Sequence, residues 1–254
     1  MPHQNRVTPF STLIATPARG TLMGNRGCLH NERGEIVRPF VGKRWIACLL
    51  DFRGRRRAVM TPGRYTELFF LDEVTALAAG HRPCAECRRE EYNVFRRAWV
   101  AAGLPSSGPL PSANEMDAHL HAERLDGRGD KATSPAPHLF SHPTLPLSIP
   151  ERELNRLLPH CGGGWVGVSS YPAKLANLPE GVFVIGEASD QPLLFFDNLL
   201  WPWTPEGYAQ PTEALDPGLF RLLTPGSIAA MLTAGYTPAY HPSVSGYENK
   251  TRRR

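Results

Sequence analysis

The clearest hydrophobic periodicity of the chain follows residue 84. Apolar side chains recur at Tyr92, Phe95, Trp99 and Ala102, three or four residues apart, which places them on one face of a helix. Gly103 supplies a residue that readily adopts a left-handed conformation where such a helix would end. The pattern predicts a helix over residues 84–102 with one buried face.

A shorter helix precedes this one. Asp72 is a good N-cap, no helix breaker occurs between Glu73 and Ala79, and Gly80 occupies the position of a C-cap. The sequence His81-Arg82-Pro83 then turns the chain. We therefore expect two helices joined by a tight turn.

Alternating apolar positions predict strands elsewhere. Segment 44–52 is the strongest strand of the first half and places Ile46, Cys48 and Leu50 on one face. A turn at Gly54 and a return strand up to Met60 would complete a hairpin. In the last eighty residues, short apolar runs punctuated by Gly and Pro predict strands at 181–185, 192–196, 198–201 and 220–223, and a helix at 227–234. The fold class predicted from these elements is α+β.

Composition narrows the class of protein. The 254 residues, 41% of them hydrophobic, suffice for one large core or two modest ones. Five unevenly spaced cysteines argue against a disulfide framework and favour a reducing compartment. The amino terminus lacks the apolar core of a signal peptide, and no apolar run approaches the length of a membrane span. We expect a cytoplasmic protein that has no membrane partner.

Two cysteines mark the start of the longer helix. The thiols of Cys84 and Cys87 are three residues apart and fall on one face, where free backbone N–H groups favour thiolate. A C-x-x-C sequence at a helix entrance is half of a zinc site, a redox pair or two buried thiols. A redox pair would follow a buried strand in a βαβ unit, whereas here a short helix and a proline turn precede it. The motif therefore favours zinc.

The segment Ala79 to Arg88, reading AGHRPCAECR after an Ala-rich helix and Phe69-Phe70, adds a resemblance to a known family. Over roughly residues 68–99 the chain resembles the second half of the zinc-binding domain of the bacterial DNA methyl-phosphotriester repair protein Ada. The resemblance implies a domain that holds zinc through four cysteines, one of which accepts a methyl group from a DNA phosphate. That family's first cysteine pair is spaced C-x-x-x-C, whereas Cys28 and Cys48 are far apart here. This difference weakens the expectation of methyl transfer more than the expectation of a bound metal.

A complete zinc site needs four nitrogen or sulfur donors, and histidine can supply one of them. We expect Cys48, Cys84 and Cys87 to bind zinc, with either His30 or Cys28 as the fourth ligand. Taken alone, Cys48 would be an ordinary buried thiol. The need for a third ligand beside the C-x-x-C pair is what singles it out.

The chain divides by composition into four parts. Residues 103–112 are rich in Pro, Gly and Ser and predict a linker. We expect a small zinc-binding domain of hairpin and helix over 1–103, followed over 104–173 by a linker region with a polar helix and a Pro/Gly/His-rich insertion. A small, mostly-β domain over 174–249 and a basic tail over 250–254 complete the organisation.

The net charge of +4 conceals an uneven distribution. The formal charge is +8 over residues 1–97, −8 over 98–249 and +4 in the tail. A basic amino-terminal part that carries the metal motif suits a protein that binds the phosphate backbone of DNA or RNA, although arginine clusters also occur on surfaces without a partner. Arginine binds phosphate oxygens bidentately. The expected phosphate contacts are Arg53, Arg55, Arg56 and Arg57 of the hairpin, with Arg82 and Arg88 at the helix start.

A second group of candidate residues lies in segment 112–125, whose composition favours a helix. In a helix Asp117 and His121 would share one face, and His119 and Glu123 another. Such pairs can bind a divalent metal or place a histidine base beside a carboxylate. The spacing matches no established ligand pattern, however, and a polar helix face explains it equally well.

Three functions are compatible with these patterns. The first is a zinc-binding protein of DNA-repair or regulatory type that binds or acts on nucleic acid. The second is a hydrolase or other enzyme on nucleic acid or a phosphorylated substrate, with Asp117, His121 and Glu123 as catalytic residues. The third is a zinc-stabilised module for protein interaction.

Overall fold

The computed structural model describes residues 1–54, 58–124, 175, 178–186, 189–214 and 220–244, together with the backbone of 169–173. Within these residues the chain forms four helices and thirteen strands, which confirms the α+β class. None of the helices in this described part is both long and apolar enough to cross a membrane.

The first half forms a mixed sheet. Its strands are β1 (Gln4–Val7), β2 (Leu13–Ala15), β3 (Leu22–Asn25), β4 (Ile46–Cys48), β5 (Leu68–Phe70) and β6 (Arg82–Pro83), in the order β2-β1-β5-β3-β4-β6. The β1–β5 and β4–β6 pairs are parallel, and the other pairs are antiparallel. The strand expected over 44–52 is thus only three residues long, and residues 58–60, the described end of the expected return strand, form a turn.

The second half forms an antiparallel sheet. Its strands are β7 (Ser169–Ala173), β8 (Val182–Gly186), β9 (Leu193–Phe196), β10 (Leu199–Thr204), β11 (Gly207–Tyr208), β12 (Thr212–Glu213) and β13 (Phe220–Leu222). The order is β11-β10-β9-β8-β13-β7, and β12 also pairs with β10. Asp197 and Asn198 join β9 to β10 with φ of 54° and 56°, as a tight hairpin turn requires. All four strands expected in this region are present.

The helices are α1 (Glu73–Ala78), α2 (Arg89–Ala101), α3 (Ala113–Arg124) and α4 (Gly226–Thr233). Helix α2 begins five residues later than the sequence predicts, because the backbone N–H of Cys84 donates to the carbonyl of Ala47 (2.9 Å) and continues the β4–β6 pairing. The residues from Cys84 to Cys87 therefore form a turn between a strand and a helix. Helix α2 buries Tyr92, Phe95 and Trp99, as the periodicity predicts.

Helix α1 lies between the two sheets, and all six of its residues are buried. Ala76 packs with Phe70 of the first sheet, whereas Val74 and Ala78 pack in a cluster with Phe183 of the second. Residues from both sides of position 103 therefore pack together in shared apolar clusters.

Hydrogen bonds attach the start of α1 to the carboxyl-terminal half. The carboxylate of Asp72 caps the helix by accepting from Thr75 N (2.9 Å). It also accepts from the hydroxyl of Tyr208 (2.9 Å) and the backbone N–H of His241 (3.0 Å). The carboxylate of Glu73 accepts from the hydroxyl of Tyr236 (2.8 Å). These bonds fix α1, and the turn that follows it, against the second sheet.

Candidate metal centre

Three cysteine sulfurs, those of Cys48, Cys84 and Cys87, lie within 4.8 Å of one another. The parallel register pairs Ala47 with Pro83, so that Cys48 and Cys84 follow side by side at the ends of adjacent strands. The turn before α2 brings Cys87 to the same place. The grouping thus results from one strand pair and one turn.

Backbone N–H groups orient two of these sulfurs. The N–H of Leu49 donates to Cys87 Sγ, and the N–H of Glu86 donates to Cys84 Sγ, both at 3.4 Å. Donors of this kind hold cysteine ligands in position and stabilise negative charge on sulfur. Cys48 is 8% and Cys84 9% exposed, whereas Cys87 is half-buried. The group therefore reaches the surface on the Cys87 side.

The three thiols differ in acidity because they share hydrogen bonds. A hydrogen bond from the Cys48 thiol lowers the pKa of Cys84 to about 5. The same hydrogen bond, together with burial, raises the pKa of Cys48, and burial raises the pKa of Cys87. Of the three thiols, Cys84 therefore loses its proton most readily. A bound cation would displace the remaining protons, because metal ligands must be deprotonated.

The spacing of the sulfurs suits zinc. A Zn–S bond of ~2.3 Å in tetrahedral geometry separates two sulfur ligands by about 3.8 Å. Separations of up to 4.8 Å therefore need only small side-chain adjustments to enclose the ion. Zinc also prefers cysteine sulfur among its ligands, so the residue types and their distances agree.

The two residues considered as the fourth ligand do not join this group. The imidazole of His30 is hydrogen-bonded through Nδ1 to the hydroxyl of Thr66 (2.7 Å) and through Nε2 to the carbonyl of Thr61 (3.2 Å). The thiol of Cys28 donates to the carbonyl of His30 (3.7 Å). Among the residues that the structure describes, three ligands are assembled rather than four.

The polar residues of α3 contact mainly partners outside the helix, apart from His119 and Glu123, whose Nε2 and Oε1 atoms lie 3.6 Å apart, on one face as their spacing predicts. Asp117 is 4% exposed and forms a bidentate ion pair with Arg82, with Nε–Oδ1 and Nη2–Oδ2 distances of 2.8 Å. Glu123 accepts from the backbone N–H of Ser227 (3.0 Å) in the first turn of α4. His121 packs edge-on against Phe40, with ring centres 5.3 Å apart, and burial lowers its pKa. The predicted helix is present, but the three residues hold elements together and do not converge.

The arginines expected at phosphates lie in several environments. Arg82 and Arg88 are 2% and 4% exposed, and Arg88 Nη2 pairs with Glu73 Oε1 at 2.9 Å, so both depart from the expected surface position. Both are buried because their guanidinium groups pair with buried carboxylates, that of Asp117 for Arg82 and that of Glu73 for Arg88. Arg53 is exposed, with its guanidinium 4.9 Å from the ring centre of Phe52. Arg55, Arg56 and Arg57 lie outside the described residues.

A buried group of cations and aromatic rings was not predicted from the sequence. The guanidinium groups of Arg26 and Arg124 lie 4.6 Å and 4.3 Å from the Trp45 ring centre, and burial lowers the pKa of each to about 9. The ring of His81 packs at 5.1 Å from Trp45 and 4.7 Å from Phe70. Within the described part of the chain, neither ring nitrogen of His81 has a hydrogen-bond partner. No local sequence signal indicates this arrangement, because Arg124 comes from a distant helix.

The candidate centre is thus defined by the geometry of one strand pair, one turn and their three sulfurs. Two backbone N–H groups, of Leu49 and Glu86, donate to these sulfurs. In comparisons with known proteins, no family model, no curated protein and no solved structure matches the chain.

Proposed function

We propose that this chain is a zinc-binding protein in which Cys48, Cys84 and Cys87 hold the ion. The observation that carries the proposal is the grouping of three sulfurs within 4.8 Å, from residues that are up to 39 positions apart. The orienting N–H groups at two of the sulfurs support it further. The resemblance of residues 68–99 to the zinc-binding domain of Ada implies two of these ligands, Cys84 and Cys87.

The proposed role of the metal is structural, with a fourth ligand that the three cysteines do not supply. Strand β4 has three residues and β6 has two, so few hydrogen bonds hold the edge of the first sheet. A metal shared by the end of β4 and the turn before α2 would cross-link them. Because the unfolded chain lacks a preformed site, the free energy of zinc binding adds to the free energy of folding.

Zinc content measured on purified protein tests this proposal. Wild-type protein reconstituted with zinc should carry about one zinc per chain, and Cys84→Ser should lose it, since a structural site needs all its thiolates. Cys28→Ser is the matched control, because Cys28 lies outside the group, and it should keep the metal. The same loss of zinc in both variants, or a wild-type protein that never retains zinc, would refute the proposal. A chelator should also lower the melting temperature of the wild type and leave that of Cys84→Ser unchanged.

A nucleic-acid partner is the second part of the proposal. It is supported by the formal charge of +8 over residues 1–97 and by the resemblance to a DNA-repair domain. With Arg82 and Arg88 in the interior, the side chains proposed to contact phosphates are the exposed Arg44, Arg53 and Arg89, which flank the cysteines in sequence. Binding to phosphates through these residues would release counterions.

Salt-dependent binding to a labelled DNA duplex and to RNA tests this part. Affinity should fall as salt rises, and Arg44→Gln combined with Arg89→Gln should reduce the slope of log K against log salt by roughly 0.9 for each lost phosphate contact. Arg33→Gln combined with Arg97→Gln removes the same charge from other exposed positions and serves as control. Equal effects of the two double variants would indicate an unspecific charge effect and contradict the proposed contacts.

A further inference from the structure

A cavity of about 450 Å³ lies beside β1 and β5. Its wall includes the side chains of Arg6, Arg19 and His3. Among the described residues that line it, there is no aspartate or glutamate. The described lining therefore contributes positive charge and no carboxylate.

Among the described residues, the groups that hold Arg6 in place are neutral. Its Nε donates to the carbonyl of Ala18 (2.6 Å), its Nη1 donates to Asn5 Oδ1 (2.8 Å), and its guanidinium lies 4.5 Å from the ring centre of Phe69. Burial and the nearby charge of Arg19 lower the pKa of Arg6. The guanidinium is thus fixed in orientation, and no described carboxylate is paired with it, which favours an anion nearby.

The segment that carries Arg19 is also fixed. A Cβ added to Gly20 would lie 2.0 Å from the carbonyl oxygen of Phe70, so this segment packs directly on the β5 backbone. The backbone N–H and the hydroxyl of Thr21 both donate to the carbonyl of Leu71, at 3.1 Å and 2.8 Å. Little ordering would therefore be needed at the backbone when a ligand binds.

Apart from Asn5 and Thr16, the rest of the wall is apolar, and it is partly open to water. Leu50 is 51% and Val59 38% exposed, and both line the cavity together with Phe69 and Pro17. A ligand with an apolar or aromatic part would cover these side chains. The volume lies within the range of ~300–1,000 Å³ that small-molecule sites have.

We propose that this cavity binds a phosphate monoester with an aromatic or apolar body, of the size of a nucleoside monophosphate. The phosphate would lie between Arg6 and Arg19, and the body would pack on Leu50 and Val59. A ligand with a phosphate monoester suits two arginines better than a ligand with one carboxylate. The phosphate carries a charge of about −1.5 to −2 at pH 7, whereas the carboxylate carries −1. The proposal does not rest on a bound metal.

Calorimetric titration of the full-length, zinc-reconstituted protein with adenosine 5′-monophosphate tests it. Adenosine and inorganic phosphate, titrated separately, each lack one of the two parts of the ligand and should bind at least roughly tenfold more weakly. Arg19→Gln should weaken binding of the monophosphate by a similar factor, because it removes one charged donor. Arg19 is exposed, so the melting temperature of this variant should equal that of the wild type.

Arg97→Gln, which removes a charge from an exposed position on α2, is the matched control and should bind as the wild type does. No binding of the monophosphate at millimolar concentration, or equal losses in the Arg19 and Arg97 variants, would overturn the proposal. Inorganic phosphate that binds as tightly as the nucleotide would overturn the apolar part of the site. Zinc content measured on the same samples shows whether a loss of nucleotide binding accompanies a loss of zinc or occurs while the metal is retained.

Discussion

His81 offers the sharpest test of how this core is built. It is fully buried against Trp45 and Phe70, and its two ring nitrogens have no hydrogen-bond partner among the described residues. Burial, and then the charges of Arg26 and Arg124, lower its pKa well below the ordinary value. The histidine is therefore neutral when the chain is folded. We expect His81→Phe to preserve the packing and to remove a group that opposes folding in acid.

The expected magnitude follows from proton linkage. An unfolded histidine has a pKa of ~6.5, so below that pH the unfolded chain takes up a proton that the folded chain excludes. Because the pKa of His81 is lowered in the folded state, the contribution of the neutral histidine to the free energy of unfolding is complete above pH ~6.5. It is lost as the pH falls towards the folded-state pKa. The loss is ~1.4 kcal/mol per pH unit, or about 2 kcal/mol at pH 5.0. Near pH 7.5 the two proteins should differ less, since removing unpaired nitrogens offsets the larger ring.

Urea unfolding of the wild type and of His81→Phe between pH 7.5 and 5.0 provides the measurement. The free energy of unfolding of the variant relative to the wild type should increase by about 2 kcal/mol over this interval. His3→Phe, at an exposed position, controls for the loss of a histidine and should change this pH dependence little. Curves for wild type and His81→Phe that stay parallel throughout would refute the reasoning.

Two further predictions concern packing and buried charge. Asp117→Asn breaks the buried ion pair with Arg82 and should lower the free energy of unfolding, measured by urea titration, by about 3–5 kcal/mol. The control Glu90→Asn, at an exposed position, should lower it by less than ~1 kcal/mol. Gly20→Ala places a Cβ against the carbonyl oxygen of Phe70 and should cost about 1–3 kcal/mol or more, whereas Gly186→Ala, which meets no atom within 4 Å, should melt within a few degrees of the wild type. If Asp117→Asn were as stable as Glu90→Asn, the ion pair would not stabilise the fold. If Gly20→Ala were as stable as Gly186→Ala, the close packing at Gly20 would not matter for stability.

Local signals in the sequence located many of the elements. Asp72 as N-cap and Gly80, with φ of 81°, bound α1 as expected. The short apolar runs after residue 180 predicted four strands, and the structure contains them. Cys48 was selected by elimination, and the strand pairing supplies the physical reason, since the register places it beside Cys84. These features depend on neighbouring residues or on simple alternation, which a single sequence displays.

Contacts between distant residues could not be predicted in this way. The sequence predicts Arg82 as a phosphate contact at the start of a helix, but its partner Asp117 lies 35 residues further along the chain. Arg88 is buried for the same kind of reason, through Glu73. His30 is close to Cys28 in sequence, yet Thr66 binds its ring. Neither charge nor spacing indicates which carboxylate or hydroxyl the folded chain will bring to a given side chain.

The enclosure of α1 between the two sheets limits how this protein can be divided for experiments. A fragment that ended near residue 103 would expose Val74 and Ala78 to water. The carboxylates of Asp72 and Glu73 would also lose the hydroxyl and amide hydrogen-bond donors of the missing half. Such a fragment would tend to aggregate, and the reciprocal piece would lack the helix that covers its sheet. Substitutions in the intact chain are therefore the sound way to separate metal binding from ligand binding.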